Sequence, residues 1–117
     1  MSHSITAGMK FTNRTAVYKA CHALNLPQPV EGSYKLFDRT VDGLGVRLPG
    51  WKYPVVVSSV GEALFDNYEG RWGSDAVWYG FQGEYVKQTM MEVMPGLDES
   101  AYSTVQEGSV VRIKLTV

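Results

Sequence analysis

A single cysteine, Cys21, stands in 117 residues, so no intramolecular disulfide can form and the chain suits a reducing compartment. No apolar run approaches about 20 residues, the length a membrane-spanning helix requires. Charge of one sign is also missing: 11 basic and 12 acidic residues leave a net charge of −1, which offers little general attraction to phosphates and disfavours a nucleic-acid partner. The N-terminus lacks a basic start followed by a long apolar stretch, so a cytoplasmic protein is expected. Soft metal ligands are scarce. Cys21 and His22 are neighbours on a predicted helix, about 100° apart, and cannot share one tetrahedral ion. No glycine-rich phosphate loop precedes a helix. No cofactor or metal is expected, and a catalytic constellation is absent. Repeats, charged tails and low-complexity linkers are missing too, so residues 1–117 read as one domain.

What is present in quantity is aromatic. Seven Tyr, four Phe and three Trp can offset the entropy of ordering the chain. Ile5, Ala7, Met9 and Phe11 alternate, predicting a half-buried strand over 4–11. Asn13 suits a helix N-cap, and Val17, Ala20, Cys21 and Leu24 form one apolar stripe ended by Asn25 and Pro27. Strands are expected at 34–37 and 45–48, with a turn at Val41-Asp42-Gly43 between them. The β-branched run after Pro54 predicts a central strand, and Gly61-Glu62 turns the chain into 63–68.

Ser74 or Asp75 can cap a second helix. Its opening is weakened by Gly80 and Gly83, its apolar face is expected at Val86, Met90, Val93 and Met94, and Pro95-Gly96 closes it. A hairpin follows, with strands at 102–106 and 109–117 and a turn at Glu107-Gly108; Val111, Ile113, Leu115 and Val117 share one face. This order predicts an α+β fold: an antiparallel β-sheet with two helices packed on one face, of ferredoxin-like character with additional central strands.

The chain opens Met1-Ser2-His3-Ser4 into an alternating strand, and its extended middle ends at 64–73, Leu-Phe-Asp-Asn-Tyr-Glu-Gly-Arg-Trp-Gly. A tyrosine-bearing helix (Tyr85-Val86-Lys87) and a terminal strand from Gly108 to Leu115 complete a pattern that resembles the family known as domain of unknown function 1257. Arg71 stands where that family would carry an aspartate. The resemblance implies a small uncharacterised protein of plastid and cyanobacterial reading frames and of bacteriophages, including those of cyanobacteria. A phage-encoded member would work in the host cytoplasm.

Arginines interleaved with aromatics are the strongest candidate site. Arg39, Arg47, Lys52 and Arg71 stand among Tyr34, Trp51, Tyr53, Tyr68, Trp72, Trp78 and Tyr79, and aromatics with arginines are enriched at binding surfaces because they join large area to polar handles. Trp51, in a loop after Pro49-Gly50, is expected to be the most exposed tryptophan; Trp72 and Trp78 suit core packing equally well. Asp66, Glu69 and Asp75 could surround a cation, but alternation puts Asp66 opposite Phe65, and solvent exposure is expected. The sequence thus points to a non-enzymatic binding module that engages a protein partner or a second copy of itself. The alternative is a small-ligand protein holding a nucleotide at the 66–79 loop, stacked on Trp72 or Tyr79.

Overall fold

A computed structural model describes residues 4–6, 9–107 and 110–116. Strand β1 (Ser4–Thr6) precedes helix α1 (Arg14–Ala23), and four strands follow: β2 (Val30–Lys35), β3 (Thr40–Val46), β4 (Val55–Val57) and β5 (Ala63–Asp66). Helix α2 (Asp75–Val93) and a short 3₁₀ turn at Glu99–Ala101 lead to β6 (Tyr102–Glu107) and β7 (Val110–Leu115). The first five strands form one antiparallel sheet in the order β1-β5-β4-β3-β2. The run after Pro54 is therefore central, as its β-branched composition predicts.

Both helices cover one face of this sheet. Leu44 and Val46 of β3, Val55 and Val57 of β4, and Ala63 and Phe65 of β5 point to that face by alternation. They meet Ala16, Val17, Ala20 and Cys21 of α1 and Trp78, Phe81 and Tyr85 of α2. Asn13 caps α1 as expected, its side-chain oxygen accepting from the Ala16 N–H at 3.0 Å, and Asn25 leaves the helix with φ 58°.

Several boundaries differ from the sequence expectation. β1 ends at Thr6; Ala7 of the predicted 4–11 strand lies outside the described residues, and Phe11 enters the core from a loop. Val41-Asp42-Gly43 is no turn but the middle of β3; the chain reverses at Leu36–Arg39, where the Leu36 N–H bonds the Arg39 carbonyl at 2.8 Å. Of the separate strand expected at 45–48, Gly45 and Val46 are the end of β3 and Arg47-Leu48 lie beyond it. The terminal hairpin forms, but Glu107 belongs to β6 and pairs with Val110 instead of turning the chain, and the two strands make a sheet of their own rather than an extension of the main one. Gly108 and Val117 lie outside the described residues.

The hairpin packs on α2. β6 lies against the helix with β7 beyond it, and the contact explains Gly83: a Cβ there would stand 2.7 Å from Thr104 Oγ1. The glycine that weakens the helix as an isolated segment is what lets a strand cross it. Consequently α2 is flanked on two sides, and its buried residues are Trp78, Phe81, Gln82, Gly83 and Tyr85. The expected stripe is displaced: Val86 and Met90 are half-buried, and Val93 and Met94 are exposed because the helix outruns the sheet beneath it.

Candidate recognition surface

β5 delivers the chain to a tight corner at 66–73. Asp66 is fully buried, which corrects the expected solvent exposure; its Oδ1 accepts from the Tyr68 N–H at 3.2 Å, and Oδ2 has no hydrogen-bond partner among the described residues. Alternation predicts its side of the strand correctly, but that side is not open to water. Asn67 is buried as well. Its carbonyl accepts from Trp72 N–H at 2.9 Å and Gly70 N–H at 3.1 Å, while its amide donates to Asp75 Oδ1 at 2.6 Å and to the Gly73 carbonyl at 3.3 Å. One side chain thus ties the corner to the first turn of α2.

These bonds hold an unusual backbone. Tyr68 (φ 48°), Glu69 (φ 53°) and Gly70 (φ 93°) are consecutive left-handed residues. Each of the two non-glycine residues costs about 1–2 kcal/mol in this conformation, so the surrounding bonds must over-determine it. Strain of this kind concentrates at ligand clamps and recognition loops.

The corner carries a cluster of rings. Trp72 is half-buried and meets Tyr68 at 4.7 Å (90°), Phe37 at 5.1 Å (39°) and Tyr53 at 5.7 Å (73°), centroid to centroid. Phe37 comes from the β2–β3 turn, which is unexpected from the pairing. Residues 40–43 outrun β4, and a flat hairpin would hold Phe37 about 20 Å beyond Val57 at about 3.3 Å per residue. Trp72 lies past the other end of β4, its carbonyl bonded by the Lys52 N–H at 2.8 Å. The ribbon therefore curls back over the face opposite the helices, as strong two-stranded twist allows. Leu36 and Val56, fully buried yet outside the helix-side core, mark the ground it covers.

Two cations complete the surface. The Lys52 ammonium lies 4.7 Å from the Trp72 ring centroid and 5.6 Å from that of Tyr53, and the Arg71 guanidinium lies 5.1 Å from the Tyr68 centroid. Each contact contributes about 0.5–1 kcal/mol at an exposed site.

The residues proposed from sequence divide in two. Tyr68, Arg71 and Trp72 come together at the corner, and exposed Arg39 flanks Phe37 in the hairpin turn. Arg47 is exposed just past the end of β3 and joins none of the ring contacts among the described residues. Trp78 is core: it is buried at 4% exposure among Phe11, Phe65 and Phe81 and offers no surface. Trp51, like Trp72, is half-buried. Its ring lies flat on Gly73, meets Phe65 edge-on at 5.5 Å and donates Nε1–H to the Ser74 carbonyl at 3.2 Å. Tyr79 is exposed on α2 and joins none of the ring contacts among the described residues. Lys52 and Tyr53, also in the set proposed from sequence, join Trp72 at the corner, whereas sequence reasoning missed Phe37. Phe37 arrives only through the ribbon's curl.

Elsewhere a cleft of about 800 Å³ runs between α1 and the 3₁₀ turn, lined by Tyr18, Lys19, His22, Leu26, Gln88 and Glu99, and does not reach the corner. Among the described residues no group of three or more His, Cys, Asp or Glu side chains could hold a metal ion, and no helix is long and apolar enough to cross a membrane. Burial pushes the Cys21 thiol up to about 11, so it is protonated at neutral pH and is no nucleophile. No family model, curated protein or solved structure matches the chain. The fold and the corner together define a small α+β protein with a rigid aromatic rim.

Proposed function

We propose that this is a non-enzymatic binding module that docks a protein partner on the rim of Phe37, Tyr53, Tyr68 and Trp72 with Lys52 and Arg71. The observation that carries this reading is the strained, cross-bonded 67–70 backbone beneath these rings. Left-handed tyrosine and glutamate lower stability, and a rigid presentation of anchors is what such a cost supplies to a binding surface. The resemblance to domain of unknown function 1257 fits a phage-encoded protein acting on a host or viral protein in the cytoplasm.

Holding a nucleotide here is less favoured. Stacking needs a free ring face, and Trp72 is already met by three rings and by Lys52.

Selection of displayed random peptides of about twelve residues against the immobilised protein tests the docking surface. Enriched peptides are expected to bind about tenfold more weakly to the Phe37→Ala/Arg71→Ala variant, whose side chains are both exposed, and equally to a Lys114→Ala control on the hairpin. Failure to enrich any peptide, or equal affinity for the rim variant, would overturn the reading.

A further inference from the structure

Of the two glycines in α2, only Gly83 is explained by packing. A Cβ at Gly80 would meet nothing within 4 Å beyond its own helix backbone. A helix-interior glycine lowers stability relative to alanine, so Gly80 weakens α2 without admitting a neighbour. It stands at the edge of a second cleft, of about 230 Å³, whose other walls are Leu24, Leu26, Leu48, Pro49 and Val77. Every one of them is apolar. Leu24 belongs to the α1 stripe, yet it is 38% exposed at this opening. A side chain at position 80 would narrow the cleft, and glycine leaves it open.

This cleft shares Leu26 with the larger one of about 800 Å³, so the two meet along the seam of the helices. From Val77 to Gln88 the seam follows about 16 Å of α2, given the helical rise. Its two ends differ in chemistry. At the larger end Lys19 pairs with Glu92 at 3.5 Å and Glu99 with Lys87 at 2.9 Å, so both lining charges are countered. The groups left for a ligand are the Tyr18 hydroxyl, the His22 imidazole, the Gln28 amide and the Gln88 carbonyl oxygen. None of the four has a partner among the described residues, whereas the Gln88 amide nitrogen donates to Glu84 at 2.8 Å.

We infer that the seam is a binding site for an uncharged amphiphile. Its alkyl chain occupies the cleft at Gly80, and its hydroxyl- or amide-bearing head bonds Tyr18, His22 and Gln88. The larger cleft alone has the volume of a small-molecule site, about 300–1,000 Å³, and such sites join apolar walls to a few polar groups. A charged head is disfavoured because the lining cation and anion already have partners. A partner helix is disfavoured as well. It would need an apolar stripe along the whole groove, and only the Gly80 end supplies one. The site is separate from the aromatic rim and stands or falls without it.

Titration calorimetry with hexanoyl-, octanoyl- and decanoylglycerol, each below its micellar concentration, tests the site. Affinity should rise about tenfold for each two methylenes added, until the cleft is filled. Octanoate has the same tail with a charged head and should bind at least about tenfold more weakly than octanoylglycerol. Gly80→Leu sets a side chain over the apolar end. Because leucine is the better helix former, this variant should unfold at no lower temperature than the parent, yet lose at least about tenfold in affinity for octanoylglycerol. The Phe37→Ala/Arg71→Ala variant should bind it unchanged. No binding of any glyceride, unchanged affinity in Gly80→Leu, or equal binding of octanoate would overturn the inference. So would an amphipathic helical peptide that binds where no glyceride does and is lost in Gly80→Leu, which would put a partner helix in the seam.

Discussion

The two halves of α2 carry similar apolar side chains and meet opposite fates. In the first half Trp78, Phe81 and Tyr85 close around Phe11, with centroids at 5.6, 6.0 and 4.6 Å, and the Tyr85 hydroxyl accepts the Asn13 N–H at 3.2 Å. In the second half Val93 is 75% exposed and Met94 41%. Helix propensity and hydrophobicity do not separate them. The difference is the layer beneath, because the sheet ends while the terminal hairpin and the start of α1, which bonds Glu92 through Asn13 and Lys19, leave Val93 uncovered. An apolar side chain contributes stability only through the surface it loses to water.

The largest effect that would test this comparison is in the core half. Phe81→Ala is expected to cost about 3–5 kcal/mol, through lost burial and the cavity left among Phe11 and Trp78. Val93→Ala should change stability by no more than about 0.5 kcal/mol. Urea unfolding of both variants gives the answer, and comparable losses would show that the outer half of the helix is covered in solution.

A smaller effect separates two glycines near the helix. A Cβ at Gly73 would overlap the Trp51 ring, and that ring cannot move without releasing Phe65 and the Ser74 carbonyl. Gly73→Ala should therefore destabilise by about 2–3 kcal/mol, the usual range for overpacking. Gly80 faces open space within the helix, so Gly80→Ala should stabilise by about 0.5–1 kcal/mol. Thermal denaturation distinguishes the signs. A neutral Gly73→Ala would mean that Trp51 is free to swing, and the corner less rigid than its bonds imply.

How much of this was legible in the sequence follows the range of each interaction. The α1 cap and stripe, the central strand after Pro54 and the terminal hairpin depend on neighbours within one turn or one ladder, and their patterns predict them. Asp42 inside β3 fails as a turn signal because its side chain is satisfied locally by the Ser33 hydroxyl across the hairpin. The burial of Asp66 and the exposure of Val93 depend on what lies above or below an element, which periodicity does not encode. Tyr68, Arg71 and Trp72 were legible as a site because they are close in sequence. Phe37 was not, since 35 positions of sequence and a curled ribbon separate it from Trp72.

The last contrast concerns pH. Cys21, packed in the core half, has its thiol raised from 9.0 to about 11 by burial, whereas the fully exposed Asp98 near the outer half has its carboxyl lowered by hydrogen bonds from Ser100. The two act at opposite ends of the scale. A thiol that ionises more readily unfolded than folded leaves stability intact below pH 9 and erodes it as the pH climbs toward 11, because the unfolded chain then sheds the proton that the native state retains. The expected loss is about 1 kcal/mol by pH 10, and Cys21→Ala should remove that part of the slope. Any stability from Asp98 would instead fade at acid pH, and its exposure to solvent screens it. Urea midpoints at pH 7, 9 and 10 for parent and Cys21→Ala measure the alkaline arm; parallel curves would mean that water reaches Cys21 and that α1 is less closely packed than the rings beside it.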